Sequence, residues 1–390
     1  MLEISLDHKD VNIAGALDRD VSDGGLTPRR LPAWTRPQVP AFMEIMVTQP
    51  SGVRLEFATD AQHIELDVFM TRIQMAQKTP RTAVFDLVCD GTLMASVTED
   101  SGHILQVDLR RPTQPKHIAG SPGTVVFKNL PSGMKQCQIW LPTSAQVALR
   151  KLRFNPGATL QASARSSQPR WIHHGSSISH CAEATSPYLS WPVVAAAQAN
   201  LDLLNLGLGG NCQLDQFVAR TIRDQPADLI SLKLGINIVN MDSMRERTFT
   251  PAVHGFLDTI REGQTDTPIL IVSPIYCPSA ETQPGPTLPD AQGKFVTFPG
   301  SEDIRAGCLT LTWIRKILTK VVNQRQQAGD KQLYYLDGLS LFGPEDAADL
   351  PDDLHPNGAG YVRIGERFAE LAFGPGGPLA PATVNANNNL

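Results

Sequence analysis

The sequence predicts an α/β domain built on a five-stranded parallel sheet and preceded by an all-β sandwich. Between Val53 and Phe154, apolar and polar residues alternate in short runs broken by turns, the period of strands with one buried face. From Trp171 onward, short apolar runs alternate instead with helical patterns, as repeated βα units require. Between the two regions, Asn155–Pro169 is rich in Pro, Gly and Ser and has the composition of a linker.

The stretch before Phe42 is rich in Asp, Pro and Arg and shows little periodicity. Val53–Phe57 and His63–Phe69 alternate strictly, with Thr59-Asp-Ala-Gln between them as a turn. Ala83–Cys89 runs into Asp90-Gly91, a strong hairpin signal, and then into Thr92–Val97. Val125–Phe127, Gln138–Leu141 and Val147–Phe154 continue the series, and no helical period interrupts it. These elements place the sandwich at residues 1–155 and the linker at 156–169.

In the second domain, residues 170–373, the expected strands are Trp171–His174, Leu203–Leu208, Leu229–Leu234, Pro268–Ile275 and Leu333–Leu336. The helical patterns between and after them are Tyr188–Asn200, Asp215–Asp224, Pro251–Glu262, Leu309–Gln327 and Gly360–Phe373. Charges along Arg315–Arg325 read as a solvated helix face. Tyr276–Asp303 is a long Pro/Gly-rich segment expected to line a substrate site. Residues 374–390 are expected to be disordered.

Composition narrows the function. A net charge of −5 supplies no basic stripe for nucleic acid or anionic lipid. The N-terminus has neither the basic nor the apolar region of an export signal, and no segment is apolar enough to span a bilayer, so a cytoplasmic protein is expected. The six cysteines, at 89, 137, 181, 212, 277 and 308, lack Cys-x-x-Cys spacing and read as free thiols. Cys181 and Cys212 follow two of the turns described next and are the pair best placed to approach one another. No motif calls for a cofactor or a metal.

In open parallel sheets, ligands bind beyond the carboxyl ends of the strands. After the first strand comes Gly175 with Ser176, Ser177 and Ser179, a sharp turn that presents a serine hydroxyl. After the second comes Asn205–Asn211, whose glycines can aim N–H groups at an anion; it lacks the glycine spacing and chain position of a dinucleotide loop. After the third, Asn237 offers a carboxamide. Before the last helix, Asp352-x-x-His355 supplies an imidazole and the carboxylate that would fix its tautomer. Gly-x-Ser-x-Gly is not met, because position 179 is Ser.

These four turns together resemble the blocks of the SGNH, or GDSL-like, hydrolase superfamily. The resemblance covers about residues 168–373 and implies a flavodoxin-like three-layer domain. Carried over, it makes Ser177 the nucleophile, His355 the general base and Asp352 its orienting partner. The N–H groups of Ser177 and Gly210 and the amide of Asn237 become the oxyanion hole. Two departures stand out: Ser176 replaces the usual Asp before the nucleophile, and Ile238 follows Asn237. The N-terminal region resembles the jelly-roll-like sandwich of two-domain SGNH carbohydrate esterases and natural-product acyltransferases.

The resulting expectation is a serine esterase that acts on O-acyl esters through an acyl-serine. Its partners are a small ester or acyl donor and, in an acyltransferase alternative, a sugar or polyketide alcohol. A metal-dependent hydrolase would need ligands among His173, His174, His180, Asp352 and His355, but adjacent strand residues 173 and 174 face opposite ways. A non-catalytic carbohydrate-binding protein would have no need for the Ser, His and Asp set. His180 is expected to make a structural hydrogen bond, and Trp191 and Tyr188 to pack their helix onto the sheet.

Overall fold

The structure, a computed structural model, describes residues 1–75, 79–107, 115–164, 168–300 and 306–380. Its N-terminal half is a sandwich of an eight-stranded and a six-stranded sheet among the described residues. Ile64–Met75 and Ala145–Phe154 form the centre of the first, Arg54–Thr59 and Lys135–Trp140 that of the second. The inward residues of the two faces, among them Phe57, Leu66, Phe85, Phe127 and Phe154, pack into one buried core. Asp90 and Gly91 both take positive φ, +47° and +78°, as a tight turn between Ala83–Cys89 and Thr92–Glu99 requires. The Thr59–Gln62 turn differs in kind: the strands on either side of it lie in opposite sheets.

Three sequence expectations are corrected here. Ala41–Thr48 is a helix inside the region read as all-β. Met43, Met46 and Val47, at i, i+3 and i+4, are buried in the core of the second domain, so tertiary burial selects a helix that the short apolar run does not announce. The linker begins later than residue 156: Ala158 belongs to the sandwich core, and Leu160–Gln161 pairs with Thr59 and Ala58. Residues 165–167 of the linker lie outside the described residues. The expected disorder does not extend to Gly374–Ala380, where Leu379 is fully buried and its N–H bonds to Ala372 O. Residues 381–390 of that tail lie outside the described residues.

The second domain is a parallel sheet of β1 (Arg170–Gly175), β2 (Asp202–Gly207), β3 (Leu229–Lys233), β4 (Ile269–Val272) and β5 (Leu333–Leu336), in the order β2-β1-β3-β4-β5. This is the flavodoxin-like order, with its switch point at β1 and β3. Both faces are covered, which explains near-continuous apolar runs such as Ile269-Leu-Ile-Val272. Helices Gln216–Asp224, Glu246–Arg261 and Leu311–Gln327 pack on one face, while Trp191–Ala199 and Gly358–Phe368 pack on the other. Arg315 corrects the solvated-face reading: it is 8% exposed and makes hydrogen bonds to Pro274 O, Ile275 O and both oxygens of Glu281. No helix among the described residues is long and apolar enough to cross a membrane.

Candidate active site

At the carboxyl end of β1 the chain turns into the short helix Ser177–His180. Gly175 is needed there, because a Cβ would fall 2.3 Å from Ser179 Oγ. Ser176 is fully buried and its hydroxyl caps the helix by accepting the Ile178 N–H, so it does not face the cleft. Ser177 does: its O–H donates to His355 Nε2 at 2.9 Å.

His355 is presented by the loop before helix Gly358–Phe368. Asp352 Oδ2 accepts from His355 Nδ1 at 2.8 Å, and its Oδ1 accepts the backbone N–H groups of Leu354 and His355 at 3.1 and 2.7 Å. The carboxylate therefore fixes both the loop and the tautomer, leaving Nε2 free to take a proton. Burial alone would push His355 down, but the carboxylates of Glu183 and Asp352 outweigh it and hold the imidazole above its ordinary pKa. Burial would likewise raise Asp352, yet its bonds to His355 hold it below the usual carboxylate value.

The other expected residues lie on the turns that follow β2 and β3. A Cβ on Gly209 would sit 3.7 Å from Ser177 Cβ, so the β2 turn lies directly against Ser177. Gly210 takes φ +70°, which favours glycine. Asn237 Oδ1 accepts the Cys212 N–H at 3.0 Å, which ties the β2 and β3 turns together and leaves the donor side of the amide for another partner. The Tyr276–Asp303 segment reaches the site through Phe295, whose ring lies 5.4 Å from the His355 ring and whose N–H bonds to Asp352 O. Residues 301–303 of it lie outside the described residues.

Several residues that hold this site are not signalled by the sequence. Asn205 Nδ2 donates to Ser179 O and Ser51 Oγ, both at 3.0 Å, and its Oδ1 accepts the Gly207 N–H. Ser51 Oγ donates to His180 O, and Thr143 Oγ1 to Cys181 O at 2.9 Å. The carbonyls at the end of helix Ser177–His180 are thus satisfied partly by the sandwich. His180 is clamped in the same way. Its Nε2–H donates to Thr143 O at 2.7 Å, so its Nδ1 is bare and accepts from the buried Arg30 at 3.0 Å. Arg30 also donates to Met46 O and Gly207 O, each at 2.6 Å. Burial and the Arg30 charge lower His180 to about 3, so it stays neutral.

The remaining candidates are structural in their contacts. His173 bonds Ser231 Oγ and Ser179 Oγ, each at 2.7 Å, while His174 bonds Leu206 O from the opposite face of the sheet. Trp191 is buried against β1 and donates from Nε1 to Ile178 O at 2.8 Å, whereas Tyr188 lies in the short turn before that helix. Cys181 and Cys212 are both free and buried and do not pair; Cys181 faces Ile178 O and Cys212 faces His174.

With this geometry in view, residues 174–363 match the GDSL-like Lipase/Acylhydrolase family. The whole chain is similar to the salicylyl-acyltransferase SsfX3 from a tetracycline biosynthetic pathway, with 29% identity, a TM-score of 0.78 and coverage of 94% of this chain and 95% of that one. It shares its fold with a family two carbohydrate esterase from Clostridium thermocellum, solved with cellohexaose (15% identity, TM-score 0.59, coverage 93% and 98%). The fold also matches an acetyl xylan esterase from Butyrivibrio proteoclasticus (12% identity, TM-score 0.52, coverage 95% and 98%). No curated protein matches the chain by sequence.

Proposed function

We propose, for a chain whose residues 174–363 form a GDSL-like lipase/acylhydrolase domain, an O-acyl transfer that passes through an acyl-Ser177 intermediate. The observation that carries this reading is the unbroken set of hydrogen bonds from Ser177 Oγ through His355 to Asp352. As Ser177 Oγ attacks the ester carbonyl carbon, its proton moves to His355 Nε2, and Asp352 stabilises the imidazolium. The carbonyl oxygen becomes an oxyanion held by the N–H groups of Ser177 and Gly210 and the Asn237 amide. Collapse breaks the ester bond, and the leaving oxygen takes the proton from His355. A water or an alcohol then attacks the acyl-serine, giving its proton to His355; collapse breaks the bond between Ser177 Oγ and the acyl carbon, and His355 returns the proton to Oγ.

With water as acceptor the protein is an esterase acting on small O-acyl esters. Transfer to an alcohol is the second reading, favoured by the similarity over nearly the full chain to a salicylyl-acyltransferase.

Intact-mass measurement after incubation with p-nitrophenyl acetate, and separately with a fluorophosphonate, tests the shared step. An adduct on the wild type and none on Ser177→Ala is expected; a folded wild type that takes no adduct would overturn the reading. Adding sugar or phenolic alcohols during turnover then separates transfer from hydrolysis by the product formed.

A further inference from the structure

Cys89 and Cys137 take no part in the chemistry proposed above, and their thiols touch. The two Sγ atoms lie 3.4 Å apart in the sandwich core, although 48 positions separate the residues along the chain. They are direct cross-strand partners in the antiparallel pair of Ala83–Cys89 with Lys135–Trp140. One position further, the Asp90 N–H donates to Gln136 O at 2.9 Å, and the Gln136 N–H donates to Asp90 Oδ1 at 2.9 Å. Asp90 and Gln136 therefore form a hydrogen-bonded rung, and the alternation of an antiparallel ladder makes Cys89 and Cys137 the close, non-hydrogen-bonded rung beside it. Such a rung holds its Cα atoms about 4.5 Å apart, within the span that a disulfide bridges without backbone movement. The thiols of Cys181, Cys212 and Cys277 face Ile178 O, His174 and Asp353 O instead of another sulfur.

We propose that Cys89 and Cys137 form an oxidative modification site, which hydrogen peroxide converts reversibly into a cross-strand disulfide. Cys89 is the thiol attacked first: it is 4% exposed against 1% for Cys137, and it borders the exposed Asp90-Gly91 turn. Its sulfur attacks a peroxide oxygen, so that an S–O bond forms, the O–O bond breaks, and the departing oxygen takes the thiol proton and leaves as water. Cys137 Sγ then attacks the Cys89 sulfur. The S–S bond forms, the S–O bond breaks, and the hydroxyl leaves as a second water with the Cys137 proton. The paired sulfurs are oxidised and the peroxide is reduced. The same ladder docks the second domain from its other face. Asp86 and Trp140, partners on these two strands, meet the Pro187–Leu189 turn: Asp86 Oδ2 accepts the Tyr188 N–H at 2.7 Å, and the Trp140 and Tyr188 ring centroids lie 5.9 Å apart. A disulfide between Cys89 and Cys137 closes a long loop, restrains the unfolded chain and so staples the docking ladder.

The test treats the fully reduced chain with hydrogen peroxide and reads the product by intact mass, by peptide mapping without reductant and by thermal melting. The expected result is loss of the mass of two hydrogens, a peptide pair joining Cys89 to Cys137, and return to the starting mass with dithiothreitol. Cys89→Ala and Cys137→Ala should each abolish the link, whereas Cys181→Ala should keep it. The linked wild type should melt about 5 °C or more above the reduced form, and peroxide should give Cys137→Ala no such rise. Should either alanine variant not fold, the wild-type peptide map decides alone. A wild type that gains oxygen without a link, or that links other cysteines in place of these, overturns the proposal. A link that forms without raising the melting temperature overturns the stapling role. Ser177→Ala should form the link as the wild type does, which keeps this outcome separate from that of the acyl-serine reading.

Discussion

Ser51 Oγ donates a 2.7 Å hydrogen bond to the carbonyl oxygen of His180, 129 positions further along the chain. The bond joins the sandwich to the end of the helix that begins with Ser177, and Thr143 makes the companion bond to Cys181 O. Each hydroxyl satisfies a buried carbonyl that the short helix cannot satisfy itself. Ser51→Ala and Thr143→Val should each cost about 1–3 kcal/mol, the penalty for an unpaired buried group. The double variant should also slow acyl-enzyme formation, since it frees the segment that aims Ser177. Urea denaturation and the burst rate with p-nitrophenyl acetate check the two effects separately.

Replacing the proposed nucleophile Ser177 and replacing its proposed orienting carboxylate Asp352 should give different signatures. Ser177→Ala is expected to abolish adduct formation and leave the melting transition near the wild type. Asp352→Asn should cut the acylation rate by about three to four orders of magnitude, because an amide can hold the imidazole in the wrong tautomer. Single-turnover rates and thermal melts on the two variants test this.

The parts of the site that could be read in the sequence are those whose partners are close along the chain or at strand ends. Asp352 and His355 share one loop, and Ser177, Gly210 and Asn237 each follow a strand with an unmistakable apolar run. Arg30, Ser51 and Thr143 stand in irregular or turn segments of the first domain, and the partners named here lie in the other domain. No local period encodes such a pairing. Ala41–Thr48 was hidden for a related reason, since its apolar face is completed only by burial against the parallel sheet. Arg315 shows the opposite error: a charge in a charged run reads as solvated, yet Glu281 and two carbonyls bury it.

Asn237 combines two duties that substitution can separate. Its Oδ1 holds the Cys212 N–H, and its Nδ2 is the proposed oxyanion donor. Asn237→Asp keeps the acceptor and removes the donor, whereas Asn237→Ala removes both. Both should lose about 10²–10³ in acylation rate, the cost of one oxyanion donor. Only Asn237→Ala should also lose stability through the unpaired N–H. Equal rates for Asn237→Asp and the wild type, measured with p-nitrophenyl acetate, would remove Asn237 from the oxyanion hole.

Gly207 closes β2 where the sheet meets helix Ser177–His180, and the space beside its Cα is already filled. A Cβ there would lie 2.4 Å from the carbonyl carbon of Ser179 and 2.6 Å from His180 N. Both are backbone atoms, so no rotamer change relieves the clash; the helix or the strand must move. The helix is held at that end by Asn205, Ser51 and Thr143, so movement would also break their hydrogen bonds. Gly207→Ala should therefore destabilise the protein by about 2–4 kcal/mol, the upper range for overpacking. It should slow phosphonylation of Ser177 well beyond what Ser51→Ala does. Gly91→Ala is the control, because nothing lies within 4 Å of its Cβ and only the positive φ of +78° is strained. It should cost stability of about 1 kcal/mol and leave the labelling rate unchanged. Thermal melts together with fluorophosphonate labelling of both variants decide this, and equal labelling rates would show that the Gly207 contact does not govern the position of the nucleophile.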